Sequence, residues 1–457
     1  MTVKDKKKVN KVMDTKKTKD LKQVKDHYLD YPYPHRNPED DKTKLMSIVG
    51  DYLGEINHYL YKGKQDFKKG FRVLVAGGGT GDSTVFLSEQ LDGVKGAEVV
   101  YLDFSKNSMK VAQERVKNRG RNNVTWINES LLDLPKLKLG KFDYIQCSGV
   151  LHHLESPDTG LKLLSDSLNK GGGLGIMVYA QYGRTGVYQI QEAMRMINKG
   201  ITSRQEEVKN AWEIINNLPA TNWYSRGKDL LADHVLFGDA GMYDMFLHKQ
   251  DRAYTIPELY QFLKRADLNL VEFTEAYNKL MLDINNYIKD QQILERVKKL
   301  DKVTQQAICE VLCGSIIKHT FYASKETDTI ADFKDLNNVP YFYTMTHIPK
   351  QAAEYLDKNN LVGGNMDFSW QSNTLEEVKL NIPVSEYTKY LFKAMDGGTK
   401  SFKQIFAEIE KGVGKKVPLN ELQREVERTL TAINKVGILL LRNKNTHFPD
   451  IVETINK

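Results

Sequence analysis

The apolar run Val73-Leu74-Val75-Ala76 enters directly into Gly77-Gly78-Gly79-Thr80-Gly81. A buried strand that ends in glycines at alternate positions has to turn sharply and let something approach its main chain, which any Cβ would prevent. From Phe71 onward the pattern repeats as strand, turn, helix, with strands predicted at 72–76, 98–102, 124–128, 144–148 and 174–179. This is the alternation of a parallel α/β sheet. The turn alone leaves NAD, FAD, a phosphate or a plain tight turn open. Walker-type phosphate binding is excluded, because no Gly-Lys-Ser/Thr follows and Asp82 stands where a cation is needed.

The rest of the chain divides around this core. Residues 1–25 hold ten Lys and three Asp, so this stretch carries the whole formal excess of +7 and the body balances. Residues 1–30 therefore read as a solvated basic arm, and no global basic field exists to steer a polyanion. Residues 31–70 open with Tyr31-Pro32-Tyr33-Pro34-His35-Arg36-Asn37-Pro38, an extended aromatic segment that must lie against something, and continue into a helix. The core spans 71–182. Residues 183–254 are helical in pattern and read as an insertion, a cap or a dimer surface. In 255–325 the Thr255-x-x-Glu258 spacing of a capping box starts a helix, and strands at 270–273 and 318–323 complete the sheet. In 326–457 a poorly patterned stretch precedes helices near 384–396, 400–411 and 419–435 and a strand at 438–441, an order resembling a winged helix.

The longest apolar runs are strand-length, far short of the ~20 residues that span a bilayer. Three cysteines are too few for a disulfide framework. The cytoplasm is the expected compartment. Asp103 ends the second strand 22 residues after Gly81, where a carboxylate accepts hydrogen bonds from ribose hydroxyls; alternatively Asp103 or Ser105 caps the next helix.

Four ordered blocks then carry a resemblance: the glycine turn, Asp103, Glu129-Ser130-Leu131-Leu132-Asp133, and Phe142-Asp143-Tyr144-Ile145 through Val150-Leu151-His152-His153-Leu154. Together they resemble class I S-adenosylmethionine-dependent methyltransferases over about 71–180. The resemblance implies a Rossmann-like sheet with S-adenosylmethionine as cofactor. It implies that Ala76, Gly77, Gly78, Gly79 and Gly81 face the methionine and ribose, and that Asp103 holds the ribose. Phe104 then flanks the adenine, Ser130 and Leu131 approach it, and Ser148, Gly149, Val150 and His152 line the sulfonium end. Two positions depart from the family pattern: Val75 replaces an acidic residue, and Ser130 an Asp, with Glu129 adjacent. Both bear on cofactor affinity, not on methyl transfer.

Tyr31–Arg36, Ser148–Leu154 and Leu247–Thr255 resemble more narrowly a bacterial group with a methyltransferase regulatory region, which includes rickettsial-type protein-lysine methyltransferases. The expected acceptor is therefore a protein lysine, with a small molecule as the alternative and a cofactor-sensing DNA-binding regulator behind both. Nucleic acid is disfavoured as a partner, since Glu421, Glu425 and Glu427 interrupt the basic residues of the last helix. A homodimer through the insertion is expected. Lysine must be neutral to react, which burial among aromatics favours; Tyr31, Tyr33, Tyr179 and Tyr182 are the channel candidates. His152 is a candidate catalytic group, and of the pair His152-His153 a helical spacing lets at most one face the pocket. No metal is expected: Cys309, Cys313 and His319 lack a fourth ligand and sit among core residues.

Overall fold

The computed structural model describes residues 33–231, 233–343, 345–371 and 377–446. The basic arm, Tyr31 and Pro32 lie outside the described residues. At the centre is a seven-stranded sheet of β1 (Arg72–Ala76), β2 (Glu98–Leu102), β3 (Val124–Ile127), β4 (Phe142–Ser148), β5 (Leu168–Tyr179), β6 (Asn269–Phe273) and β7 (Lys318–Ser324). Their spatial order is β3-β2-β1-β4-β5-β7-β6. β1 to β5 run parallel, and β7 lies antiparallel between β5 and β6. The order reverses between β1 and β4, which opens a crevice at their carboxyl ends, the place where doubly wound sheets bind ligands.

Both faces of the sheet are covered, so the strands read as continuous apolar runs rather than alternating ones. Leu74, Ala76, Leu102, Ile145, Cys147 and Ile176 pack one face against helices Pro157–Asp166 and Ile256–Arg265. Val73, Val75, Val99 and Tyr144 pack the other against helices Leu53–Leu60 and Asp82–Gln90. The capping box predicted at Thr255 forms: its hydroxyl accepts from Glu258 N, and the Glu258 carboxylate accepts from Thr255 N at 2.9 Å. β5 starts earlier than expected, because Gly171-Gly172-Gly173 carry it through a shift of register against β4.

Between β5 and β6 the chain is helical, as its pattern implies, and ends in a wide π-type turn at Tyr243–Leu247. Tyr254 then pairs with Ala180, just past the end of β5. The stretch after β7 that looked poorly patterned contains β8 (Asn338–Phe342), a helix Ile348–Lys358 and the hairpin β9 (Asn365–Gln371) with β10 (Glu377–Pro383). Helices Thr388–Met395, Phe402–Val413 and Leu419–Asn434 follow, and then β11 (Leu439–Asn443), which pairs antiparallel with β8. The stripe Leu422, Val426, Leu430 and Ile433 is buried in this C-terminal core, while Leu419 is exposed. No helix among the described residues is long and apolar enough to cross a membrane.

Candidate functional site

The carboxyl ends of β1, β2 and β4 converge. Gly77 N and Gly78 N both donate to Leu102 O, at 2.7 and 3.2 Å, which folds the turn back over the end of β2. Gly77 has φ +78°, and a Cβ there would lie 2.2 Å from Val150 Cγ2; the turns after β1 and β4 touch with no room for a side chain. Gly79 N donates to Asp103 Oδ2 at 2.9 Å and Ser105 N to Oδ1 at 2.7 Å. Ser105, not Asp103, caps helix Lys106–Asn118. The Asp103 carboxylate is thus fixed by two main-chain donors and keeps further lone pairs for a ligand. Burial raises its pKa above the ordinary carboxylate value, and the two N–H groups partly offset this. Ala76 and Gly81 are buried, Gly77 to Gly79, Phe104, Ser148 and Gly149 are half-buried, and Leu131 joins the core beside Leu134 and Leu161. Ser130 Oγ accepts from Leu132 N, starting the short turn at Leu131–Asp133.

The aromatic segment lies on the glycine turn. The carbonyl of Tyr33 is 3.1 Å from where a Cβ on Gly79 would stand, and Thr80 Oγ1 donates to Pro34 O at 2.7 Å. Arg36 binds both oxygens of Asp82. Burial works to raise the Asp82 carboxyl, but the Arg36 and Arg115 guanidiniums outweigh it and hold it below the ordinary range. Buried Arg115 also binds both oxygens of Asp41 and the Thr80 carbonyl. From above, Phe237 of the inserted helices meets the Tyr33 ring edge-on at 5.5 Å, with Arg36 over its face.

Beyond Val150 the chain makes a short turn, Leu151–His153, against Tyr179. The His152 ring is 3.9 Å from Tyr179 and 4.2 Å from His153. Both imidazoles are buried and face the same chamber, which corrects the expectation that only one does: the inserted segment folds over both, with His248 on His153 and Asp251 near the pair. Tyr182 is exposed, away from the chamber.

Sequence reasoning missed the chamber's other wall. Tyr179 OH donates to Asp244 Oδ2 at 3.1 Å, and the Arg184 guanidinium sits 3.7 Å over the Tyr179 ring. Arg184 approaches Asp251 Oδ2 at 3.9 Å, and Gln191 Nε2 donates to the same oxygen at 3.1 Å. The His248 ring stacks on His153 at 3.9 Å. Burial pushes the histidines down, His153 to about 4 and His248 to about 3, and pushes Asp244 up to about 6. The available signal was the crowding of His248, Asp251 and Tyr254 into one short phrase ahead of the Thr255 cap. Cys309, Cys313 and His319 do not converge among the described residues.

A sequence profile described as a methyltransferase domain matches residues 74–174. A Synechococcus protein of uncharacterised function is 31% identical over 58% of this chain, and the match spans 62% of that protein's length. The demethylmenaquinone methyltransferase of Anoxybacillus flavithermus is 30% identical over 42% of this chain and 76% of its own. The structure of PKMT2 from Rickettsia typhi superposes with a TM-score of 0.59 at 18% identity, covering 88% of this chain and 77% of that one. Its complex with AdoHcy (S-adenosylhomocysteine) gives 0.58 over 88% and 76%.

Proposed function

Because the chain belongs to the class I S-adenosylmethionine-dependent methyltransferases, we propose that it moves a methyl group from that cofactor to a lysine side chain of a protein. The reading is carried by coverage. The quinone methyltransferase aligns with 42% of this chain, whereas the fold of rickettsial PKMT2 follows 88% of it, so the likeness extends well beyond the cofactor core. Acceptor choice rests with the parts outside that core.

In this reading Gly77, Gly79, Asp103 and Phe104 hold the nucleoside and methionine. Ser148, Gly149 and Val150 bring the sulfonium to the chamber. Methyl transfer from a sulfonium is an in-line displacement whose electrophile is already activated, so the protein aligns the partners and excludes water. Tyr33 and Phe237 supply the cover. Tyr179 faces the acceptor, and the buried Asp244 that accepts from its hydroxyl favours an amine. Exposed Met196, Val235 and Leu236 on the insertion support a docking role for the substrate protein or a second copy.

A small-molecule acceptor is the second reading, favoured by the chamber being closed over by the insertion. Mass spectrometry of a lysate incubated with the protein and isotope-labelled S-adenosylmethionine tests both. Label on lysine-containing peptides supports the first reading. Label confined to the small-molecule fraction replaces it with the second.

A further inference from the structure

The polar atoms of the buried chamber are not all used by the protein itself. Neither His152 nitrogen has a hydrogen-bond partner, although the residue is 1% exposed. Asp251 Oδ2 is held by Gln191, while Oδ1, equally buried, has no partner. Orphaned polar atoms in such a place cost of order 1–3 kcal/mol each unless something fills the space between them.

Their chemistry says what fits. One donor atom each from His152, His153 and Asp251 lie within 4.8 Å of one another. His153 Nδ1 is 3.1 Å from the Gln250 carbonyl, so Nδ1 carries the proton and Nε2 presents a lone pair. Donation of the second ring nitrogen to a carbonyl, and a second donor on the far carboxylate oxygen, are the outer contacts that orient metal ligands. We propose that His152, His153 and Asp251 bind a divalent transition-metal ion of the imidazole-preferring kind, such as zinc.

An overlapping set, His153, Asp244 and His248, converges within the same distance. There His248 Nδ1 accepts from Gln250 N at 3.1 Å, which puts the neutral ring's proton on Nε2 and takes that ring out of the ligand set. The choice therefore falls on the first set. Ligands at about 2.0–2.2 Å from an ion stand some 3–3.5 Å apart, so the donors close slightly on binding. The histidines are already neutral, as ligation requires. Arg184 against Asp244 and Asp251 leaves one negative charge; a divalent ion overshoots by one, and a bound water that loses a proton restores neutrality. The ligands come from two segments about a hundred residues apart, so the ion would staple the end of the insertion to the turn after β4.

The test is independent of methyl transfer. The full-length protein, stripped with a chelator, is titrated with Zn²⁺ by calorimetry and with Co²⁺ by visible absorption. One equivalent is expected at micromolar affinity or tighter, with a raised melting temperature. Asp251→Asn and His152→Gln should each weaken it by at least the roughly ten- to hundredfold that loss of an outer-shell partner costs. Absence of stoichiometric binding, or unchanged affinity in Asp251→Asn, overturns the site. Should both variants fail to fold, X-ray absorption of the wild-type zinc complex decides: two imidazoles support the assignment, and none or one removes it.

Discussion

The guanidinium of Arg36 grips the carboxylate of Asp82 through two parallel hydrogen bonds, Nε to Oδ1 at 2.9 Å and Nη2 to Oδ2 at 2.7 Å. Asp82 is the first residue of the helix that leaves the glycine turn, so this fork clamps the aromatic segment to the turn proposed to hold the cofactor. Cover of this kind contributes more to alignment in the transition state than to ground-state binding. Replacing Tyr33 and Arg36 together by alanine should lower kcat, while the S-adenosylmethionine Kd changes less than tenfold, or about 1.4 kcal/mol. Normal turnover in the double variant would reduce the segment to surface packing.

Arg115 sits between Asp41 and Asp82 and is 1% exposed. Removing it strands the buried Asp41 carboxylate and leaves Asp82 to Arg36 alone, and breaking one partner of such a buried pair costs about 3–5 kcal/mol. Arg115→Met should therefore shift the urea midpoint strongly downward. A shift of less than about 1 kcal/mol would mean that the acids are hydrated or protonated without it.

Asp103→Ala should weaken S-adenosylmethionine by about 1.5–3 kcal/mol, the worth of hydrogen bonds to a charged group. Calorimetry reads this directly, and an undisturbed affinity would leave Asp103 as a brace for Gly79 and Ser105 alone.

Gly77→Ala places a methyl 2.2 Å from Val150 Cγ2 at a positive φ. Cofactor binding should be lost. Adding Val150→Ala should recover the steric part but not the backbone strain, so the double variant binds between the two extremes; full recovery would mean that the backbone at Gly77 is unstrained.

The histidine chamber predicts a pH dependence. The pKa of His153 is depressed to about 4 by burial, so its contribution to stability is complete above the unfolded value near 6.5 and is lost as pH falls toward 4. Between pH 7.5 and 5, with chelator present to keep the site metal-free, the wild type should lose up to about 2 kcal/mol more than His153→Asn, whose amide keeps a donor for Gln250 O. Equal losses in urea titrations would show that His153 is solvated.

The five parallel strands and the capping box at Thr255 were legible because each rests on local pattern: an apolar run bounded by glycines, or a fixed polar spacing. So was the glycine turn, where Gly77 and Gly79 take conformations that other residues avoid. The chamber was not. Arg184, Asp244, Asp251 and His152 come together only because the insertion folds back and Tyr254 joins the end of β5, and no short-range pattern encodes that return. The β9–β10 hairpin was missed for another reason: Lys379, Asn381 and Asp367 face water, so its strands lack the apolar density of the central sheet.

β11 has a consequence for how this chain is made. Leu441 N donates to His58 Nδ1 at 3.0 Å, and Leu440 packs with Ile56 and Tyr59 of helix Leu53–Leu60 and with Tyr341 of β8. A helix near the start of the described residues is therefore finished by the last strand among them. Translation order and assembly order are opposed, and during synthesis Leu53–Leu60 waits with one flank uncovered. A message truncated before codon 438 would yield a product with an intact cofactor motif and an open seam beside it, which marks such fragments for chaperones and proteases rather than for a partial activity.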